Sequence, residues 1–242
     1  MKDKYFFGRT PTRQIDVFAF PRTGSHLFRY CTAGLFDLMA LPQPGLENPE
    51  AVERQSELNP HALYALDLRE DGVPYAPVWF NARANGQHGF PVKGEAPMVV
   101  LIRDPVPTFY SFYRVSIDRW KQPIEDPPTW IRAKCQRYTA FYDAGLEQIA
   151  KSPRDSLLIR YEELIGSADP LKRLVSLVGV QPKLDPEFVH SVTRFDQFTR
   201  RGTRTFYRAG DNNAWRHDKE WCTLLERADL PDLSRFTCSA PA

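Results

Sequence analysis

The chain has 242 residues, a formal net charge of +2, 42% hydrophobic and 26% charged side chains. That length carries one sizeable α/β core, and the composition is that of a soluble globular protein. The nearly balanced charge excludes a broadly basic nucleic-acid surface, so any anion site has to be local.

Residues 1–14 are polar and read as a loose lead-in. Ile15, Val17, Phe18, Ala19 and Phe20 form the short apolar run of a buried parallel strand, which Pro21 ends. Thr23, Gly24 and Ser25 supply small residues for a sharp turn. Leu27, Phe28, Tyr30, Cys31, Leu35, Leu38 and Met39 then recur at helical spacing. A strand feeding a helix through such a turn leaves backbone N–H groups at the helix start, and with the helix dipole these form an anion site. Arg22 adds a fixed cation beside it. The stretch is not a GxxxxGK[ST] loop, because it has neither the leading Gly nor a Lys before the Ser.

A Pro-rich connection over 41–50 leads to a mostly polar helical piece around 50–69. The run at 74–82 predicts a short strand, 85–97 a loop, and Met98–Arg103 the cleanest strand of the chain. Asp104 and Pro105 suit the cap and first position of a helix. The Pro-rich stretch 121–130 interrupts, and Trp130–Ala150 is helical. Residues 156–164 begin as a strand and turn into loop, 170–180 is a helix closed by Gly179, and 185–195 is another helix. The rest is arginine-rich and irregular before a short helix at 221–228. Strands alternating with helices predict a three-layer α/β fold with a doubly wound, mostly parallel sheet, as one domain over 1–242. Ligands of such sheets sit beyond the carboxyl ends of the strands, where Arg22, Arg103 and Tyr161 fall.

The four cysteines, Cys31, Cys135, Cys222 and Cys238, contain no CxxC pair, which fits a reducing compartment. No apolar run approaches a membrane span and MKDKYFFGRT is not a signal peptide, so the expected location is cytoplasmic.

Two further constellations carry chemistry. Arg103 ends a buried strand, where an arginine needs an anionic partner, and Ser111 follows about two helical turns on. Together they can donate charge-assisted hydrogen bonds to one phosphate. Arg200, Arg201, Arg204 and Arg208 interleave with Phe206 and Tyr207, a pattern that suits an aromatic anion such as a nucleotide. It would also suit single-stranded nucleic acid, but nothing else in the chain points there.

Taken in order, these segments resemble the PAPS-dependent sulfotransferases. FPRTGSHLF is similar to that family's PKSGT-type 5′-phosphosulfate loop, and RDPVPTFYS keeps the Arg-to-Ser spacing of its 3′-phosphate segment, with Pro107 in place of the usual Asp. RYEEL resembles the YED segment, TRFDQF the segment that reaches the adenine, and RAGDNNAW the segment that closes over the 3′-phosphate. The resemblance runs from about residue 15 to about 216. It implies PAPS as co-substrate, no metal, and a P-loop-like strand, turn and helix. It implies nucleotide contacts from Arg22, Thr23, Gly24, Ser25, His26, Leu27, Arg103, Ser111, Tyr161, Thr193, Phe195, Arg208, Ala209 and Gly210. Residues 200–242 would close over the nucleotide. The implied reaction is transfer of a sulfuryl group to an acceptor hydroxyl or amine, leaving adenosine 3′,5′-bisphosphate (PAP).

This chain departs from the pattern in three places. Arg22 stands for the loop lysine and can offer only charge and hydrogen bonds, since a guanidinium does not give up its proton. Ala209 stands for a lysine of the closing segment. The hydroxyl-sulfating branch has a catalytic His about 20 residues before the Arg of the 3′-phosphate segment, and here that count falls near Asn81. His88 lies in the following loop and is the candidate general base, with Glu53 and Glu57 as alternatives. Arg22 and His88 are thus the catalytic candidates. Trp79, Phe80, Trp120 and Trp130 could line an acceptor pocket or simply pack. A non-catalytic nucleotide-binding relative is the alternative reading, and a small-molecule kinase lacks its loop lysine.

Overall fold

A computed structural model describes residues 13–36, 78–84, 97–118, 120–193 and 212–237. Outside the described residues lie the helical piece at 50–69, Glu53, Glu57, His88, Phe195, Cys238 and the arginine-rich segment through Arg208, Ala209 and Gly210. The side chains of His26, Trp79 and Phe80 lie outside them too.

The elements run β1 (Arg13–Ala19), α1 (Ser25–Leu35), β2 (Val78–Ala84), β3 (Met98–Ile102), α2 (Pro105–Asp118), α3 (Pro127–Lys151), β4 (Ser156–Arg160), α4 (Tyr161–Gly166), α5 (Asp169–Val178), α6 (Pro186–Thr193) and α7 (Lys219–Ala228). The four strands form one sheet in the order β2-β1-β3-β4, each pair parallel. The chain therefore winds one way from β1 to β2 and the other way from β3 to β4. The reversal opens a crevice between β1 and β3, the switch point at which such sheets bind ligands.

Alternation along each strand sends side chains to two different layers. Ile15, Val17 and Ala19 of β1 and Val99 and Leu101 of β3 meet Phe28, Cys31 and Leu35 of α1, Leu171, Leu174 and Val178 of α5, and Val189 of α6. Phe18, Phe20, Met98, Val100 and Ile102 face the other way, onto Phe109, Phe112 and Tyr113 of α2, Tyr138, Phe141 and Tyr142 of α3, and Trp221 of α7. All five residues of β3 are buried, which is why that strand reads as an unbroken apolar run.

Several boundaries differ from the sequence reading: β1 begins at Arg13, inside the stretch 1–14 read as a loose lead-in, and α7 begins at Lys219, ahead of 221. β2 spans Val78–Ala84, running past the predicted end at 82, while residues 74–77 lie outside the described residues. α3 begins at Pro127, not Trp130: the Asp126 side chain accepts a hydrogen bond from the Thr129 amide at 3.3 Å, and the paired prolines occupy the first turn, where their missing N–H is no loss. The segment after β4 is the short helix α4 and not a loop. Gly179 closes α5 with φ 69°, as expected of a left-handed C-cap. Cys31 and Cys135 are buried free thiols, and burial pushes the Cys31 thiol up to about 12, so it is chemically quiet. No helix among the described residues is long and apolar enough to cross a membrane.

Candidate active site

The turn after β1 has an unusual backbone. Gly24 sits at φ 94°, and Arg22, with a full side chain, at φ 74°. Such a conformation is costly for a residue with a Cβ and persists where the surroundings impose it. Gly24 is required for a second reason: a Cβ there would collide with the Tyr161 ring, meeting Cδ2 first and Cε2 at 3.1 Å. Thr23 is buried and its hydroxyl donates to the Phe20 carbonyl at 2.7 Å, closing the turn on itself. The turn leads into α1, whose first residue follows Gly24. Gly24 at its N-cap has no side chain to cap that helix start, and its first turn has no acidic residue. The start of α1 thus presents backbone donors and the positive end of the helix dipole towards the switch point.

Arg103 leaves the end of β3 into the same space. Its Nη1 donates to the Arg22 carbonyl at 3.1 Å, and its Nε and Nη2 donate to Asn212 Oδ1 at 3.0 and 2.7 Å. The guanidinium lies over the Tyr161 ring at 4.4 Å from the centroid, a cation–π contact. Burial lowers the affinity of Arg103 for its proton, and the field of Tyr161, Glu162 and Asp104 opposes that effect. Arg22 reaches across to α2, where its Nε donates to Ser111 Oγ at 3.1 Å. Four of the residues singled out in the sequence, Arg22, Arg103, Ser111 and Tyr161, therefore meet at the carboxyl ends of β1, β3 and β4, although they are spread over 140 positions of sequence.

Thr193 stands apart from that cluster. It is buried at the end of α6, donates to the Val189 carbonyl at 2.8 Å and lies 3.5 Å from Cys31 Sγ. Trp130 is half-buried and packs edge-on against Phe112 at 5.5 Å between centroids, against the core, and Trp120 meets the same ring edge-on at 5.9 Å with 48% of its surface exposed. His190 lies on α6 and His217 in the short turn 214–217, away from the arginine cluster's hydrogen bonds.

Four residues that the sequence reading missed, Asn212, Glu162, Tyr142 and Tyr138, complete the site. Glu162 Oε1 accepts from the Asp104 amide at 3.1 Å and from Asn212 Nδ2 at 3.2 Å. Its other oxygen is buried without a hydrogen-bond partner among the described residues. Burial raises the Glu162 carboxyl above the ordinary glutamate value, the Asp104 charge adds to this, and Arg103 opposes it. Tyr142 and Tyr138 come up from beneath. The Tyr142 hydroxyl accepts from the Phe20 amide at 3.2 Å and donates to the Leu101 carbonyl, while the Tyr138 hydroxyl donates to the Arg103 carbonyl.

Among known proteins no family model and no curated protein matches the chain, whereas several solved structures do. A mouse sulfotransferase in complex with PAP is 16% identical with a TM-score of 0.55, over 96% of this chain and 90% of that one. Retinol dehydratase in complex with androsterone and the inactive cofactor PAP is 16% identical with a TM-score of 0.52, over 96% and 87%. The sulfotransferase domain of the Synechococcus PCC 7002 olefin synthase is 17% identical with a TM-score of 0.53, over 92% and 97%. At these identities the likeness is one of fold: the chain has the α/β fold of the PAPS-dependent sulfotransferases.

Proposed function

We propose that the protein transfers a sulfuryl group from PAPS to an acceptor hydroxyl or amine, releasing PAP. The observation that carries this reading is the convergence of Arg22, Arg103, Ser111 and Tyr161 on the switch point of a sulfotransferase-like sheet. The residues present fit such a ligand. Two guanidinium groups, a hydroxyl and an uncapped helix start are all donors, and a nucleotide carrying phosphate at two positions needs donors. In this reading the backbone from Thr23 to Leu27, with the Arg22 side chain, holds the 5′-phosphosulfate. Arg103 and Ser111, joined by Arg208 and Gly210, hold the 3′-phosphate. Tyr161, Thr193 and Phe195 serve the nucleoside, and Ala209 contributes only its backbone.

The chemistry is an in-line displacement at sulfur. The bond from sulfur to the bridging phosphate oxygen breaks, the bond from sulfur to the acceptor oxygen or nitrogen forms, and the acceptor proton passes to a general base. Arg22 stabilises the negative charge that develops on the bridging oxygen by charge and hydrogen bonding, without transferring a proton. His88 is the proposed base, with Glu53 and Glu57 as the alternatives. The reading places the protein in the cytoplasm as one domain over 1–242.

Calorimetric titration with PAP, run beside ADP and ATP without metal, tests the reading. Selective binding of PAP supports it, and preference for ATP or no binding overturns it. Arg103→Ala should weaken PAP binding by about a hundredfold, because it removes a charge-assisted partner of a doubly charged group. His88→Ala should lower turnover by about a hundredfold at unchanged PAP affinity, the signature of a lost base. A second reading, a nucleotide-binding relative without activity, is favoured by Arg22 in the lysine position. It predicts PAP binding with no sulfated product from any acceptor.

A further inference from the structure

An asparagine between a carboxylate and a guanidinium has only one way to bond. Arg103 can only donate and ionised Glu162 can only accept. The Asn212 amide must therefore turn its oxygen to Arg103 and its nitrogen to Glu162, as the distances of 3.0, 2.7 and 3.2 Å show. Glu162 is fixed in turn by the Asp104 amide at 3.1 Å. The chain Asp104 N–H, Glu162, Asn212, Arg103 ties together the ends of β3 and β4 and the start of the segment 212–237. It uses none of the groups that the sequence pattern assigns to the nucleotide except Arg103 itself.

We infer that Asn212 is the positioning residue that presents Arg103 to the anion of the ligand, and that Glu162 locks it in that role. This rests on the nucleotide reading above and deepens it. Arg103 has five N–H donors. Two are held by Asn212 and one by the Arg22 carbonyl, which among the described residues leaves two for a ligand in a guanidinium that no longer rotates freely. A free arginine side chain loses rotamer entropy on fixing, and here that loss is incurred in folding, before the ligand arrives. The amide also acts as a spacer. A direct ion pair between Glu162 and Arg103 would place a carboxylate in competition with the ligand anion, whereas a neutral amide holds the guanidinium and leaves its charge for the ligand. Asn212 thereby sets the preference for a nucleotide bearing the second phosphate over one lacking it.

The test uses the intact protein with two probes, PAP and adenosine 5′-monophosphate. Asn212→Ala is expected to lower the preference for PAP about tenfold, roughly one well-placed hydrogen-bonding contact, with the monophosphate affinity unchanged. Glu162→Ala should do the same. Glu162→Gln, whose carbonyl can still accept from Asp104 N–H and Asn212, should retain the preference. An unchanged preference in Asn212→Ala overturns the inference, as does an equal loss for both probes, which would mark a purely structural role. A gain in PAP affinity overturns it too, because Asn212 would then be competing with the ligand. A readout without nucleotide separates this from the reading it rests on. The Arg103 Nε–H resonance, assigned by its absence in Arg103→Lys, should exchange slowly in the wild-type protein and fast in Asn212→Ala. Slow exchange without any preference for PAP would sink the nucleotide reading and leave the positioning intact. Fast exchange in the wild type would sink the positioning.

Discussion

The two faces of the sheet are packed by different chemistry. One face is largely aliphatic: Ile15, Val17, Val99, Leu101, Ile159, Leu171, Leu174 and Val178 pack together there. The other is aromatic, and its rings carry hydroxyls. Phe20 meets Tyr138 edge-on at 5.3 Å and Phe141 at 6.3 Å, and Tyr138 and Tyr142 lie 4.5 Å apart. The hydroxyls go to the place where the sheet ends. Pairing of β1 with β3 stops at Ala19 and Leu101, and one step further the Tyr142 hydroxyl sits between the Phe20 amide and the Leu101 carbonyl. It takes over the backbone hydrogen bonding at the point where the strands part to form the crevice. The aliphatic face supplies stability, while the aromatic face also fixes the geometry of the site.

That contrast can be broken from either side. The largest stability effect should come from the aliphatic layer. Leu174→Ala, at a site fully removed from solvent, should cost about 2 to 5 kcal/mol by lost burial and the cavity left behind. Chemical denaturation would measure it, and PAP affinity of the folded variant should stay at the wild-type value. A large loss of affinity would mean that the two faces are not separable.

Tyr142→Phe is the matching change on the aromatic side. The ring and its packing remain, and only the hydroxyl goes. Two backbone groups then lose their partner, at a cost of about 1 to 3 kcal/mol. Unlike Leu174→Ala, this change should also weaken PAP binding, by about tenfold, because the lost bond is one that positions the crevice. Full affinity in Tyr142→Phe would reduce the hydroxyl to a packing detail.

The sequence made the first of these faces easy to read and the second hard. Alternation in β1, the unbroken run of β3 and Gly179 at the end of α5 are local signals, so the parallel sheet and its flanking helices were legible. So was the Arg103-to-Ser111 spacing, which lies within one strand and helix. The structure brings Ser111 to Arg22, 89 positions away, and that pairing follows only from the winding of the sheet. Tyr138 and Tyr142 sit among core aromatics on α3, and no pattern marks which rings carry a working hydroxyl. Glu162 and Asn212 are 50 positions apart, and Asn212 and Arg103 109 apart, so their chain of bonds has no sequence signature. The six residues of α4 span too few turns for helical periodicity to emerge, and the prolines before α3 look like a break although they start the helix.

Glu162 gives the smallest effect and the sharpest sign. It lies above the aromatic layer, near Asp104, Arg103, Tyr138 and Tyr142, and its carboxyl is raised above the ordinary value of 4.5 by burial first and the Asp104 charge second. In the unfolded chain it ionises near that ordinary value. Between there and its raised folded value, the folded protein holds a proton that the unfolded chain has released, so stability falls as pH rises through the window. Below the window the contribution is complete, and above it the remaining penalty is constant. Glu162→Gln cannot titrate. Its stability curve should lack this slope, and the variant should gain on the wild type as pH rises from about 4.5 and then keep a fixed margin. Leu174→Ala, by contrast, should lower stability by the same amount at every pH. Parallel curves for wild type and Glu162→Gln would show that the carboxylate is better solvated than its surroundings imply. The aromatic face would then tune the site through Tyr142 and Tyr138 alone.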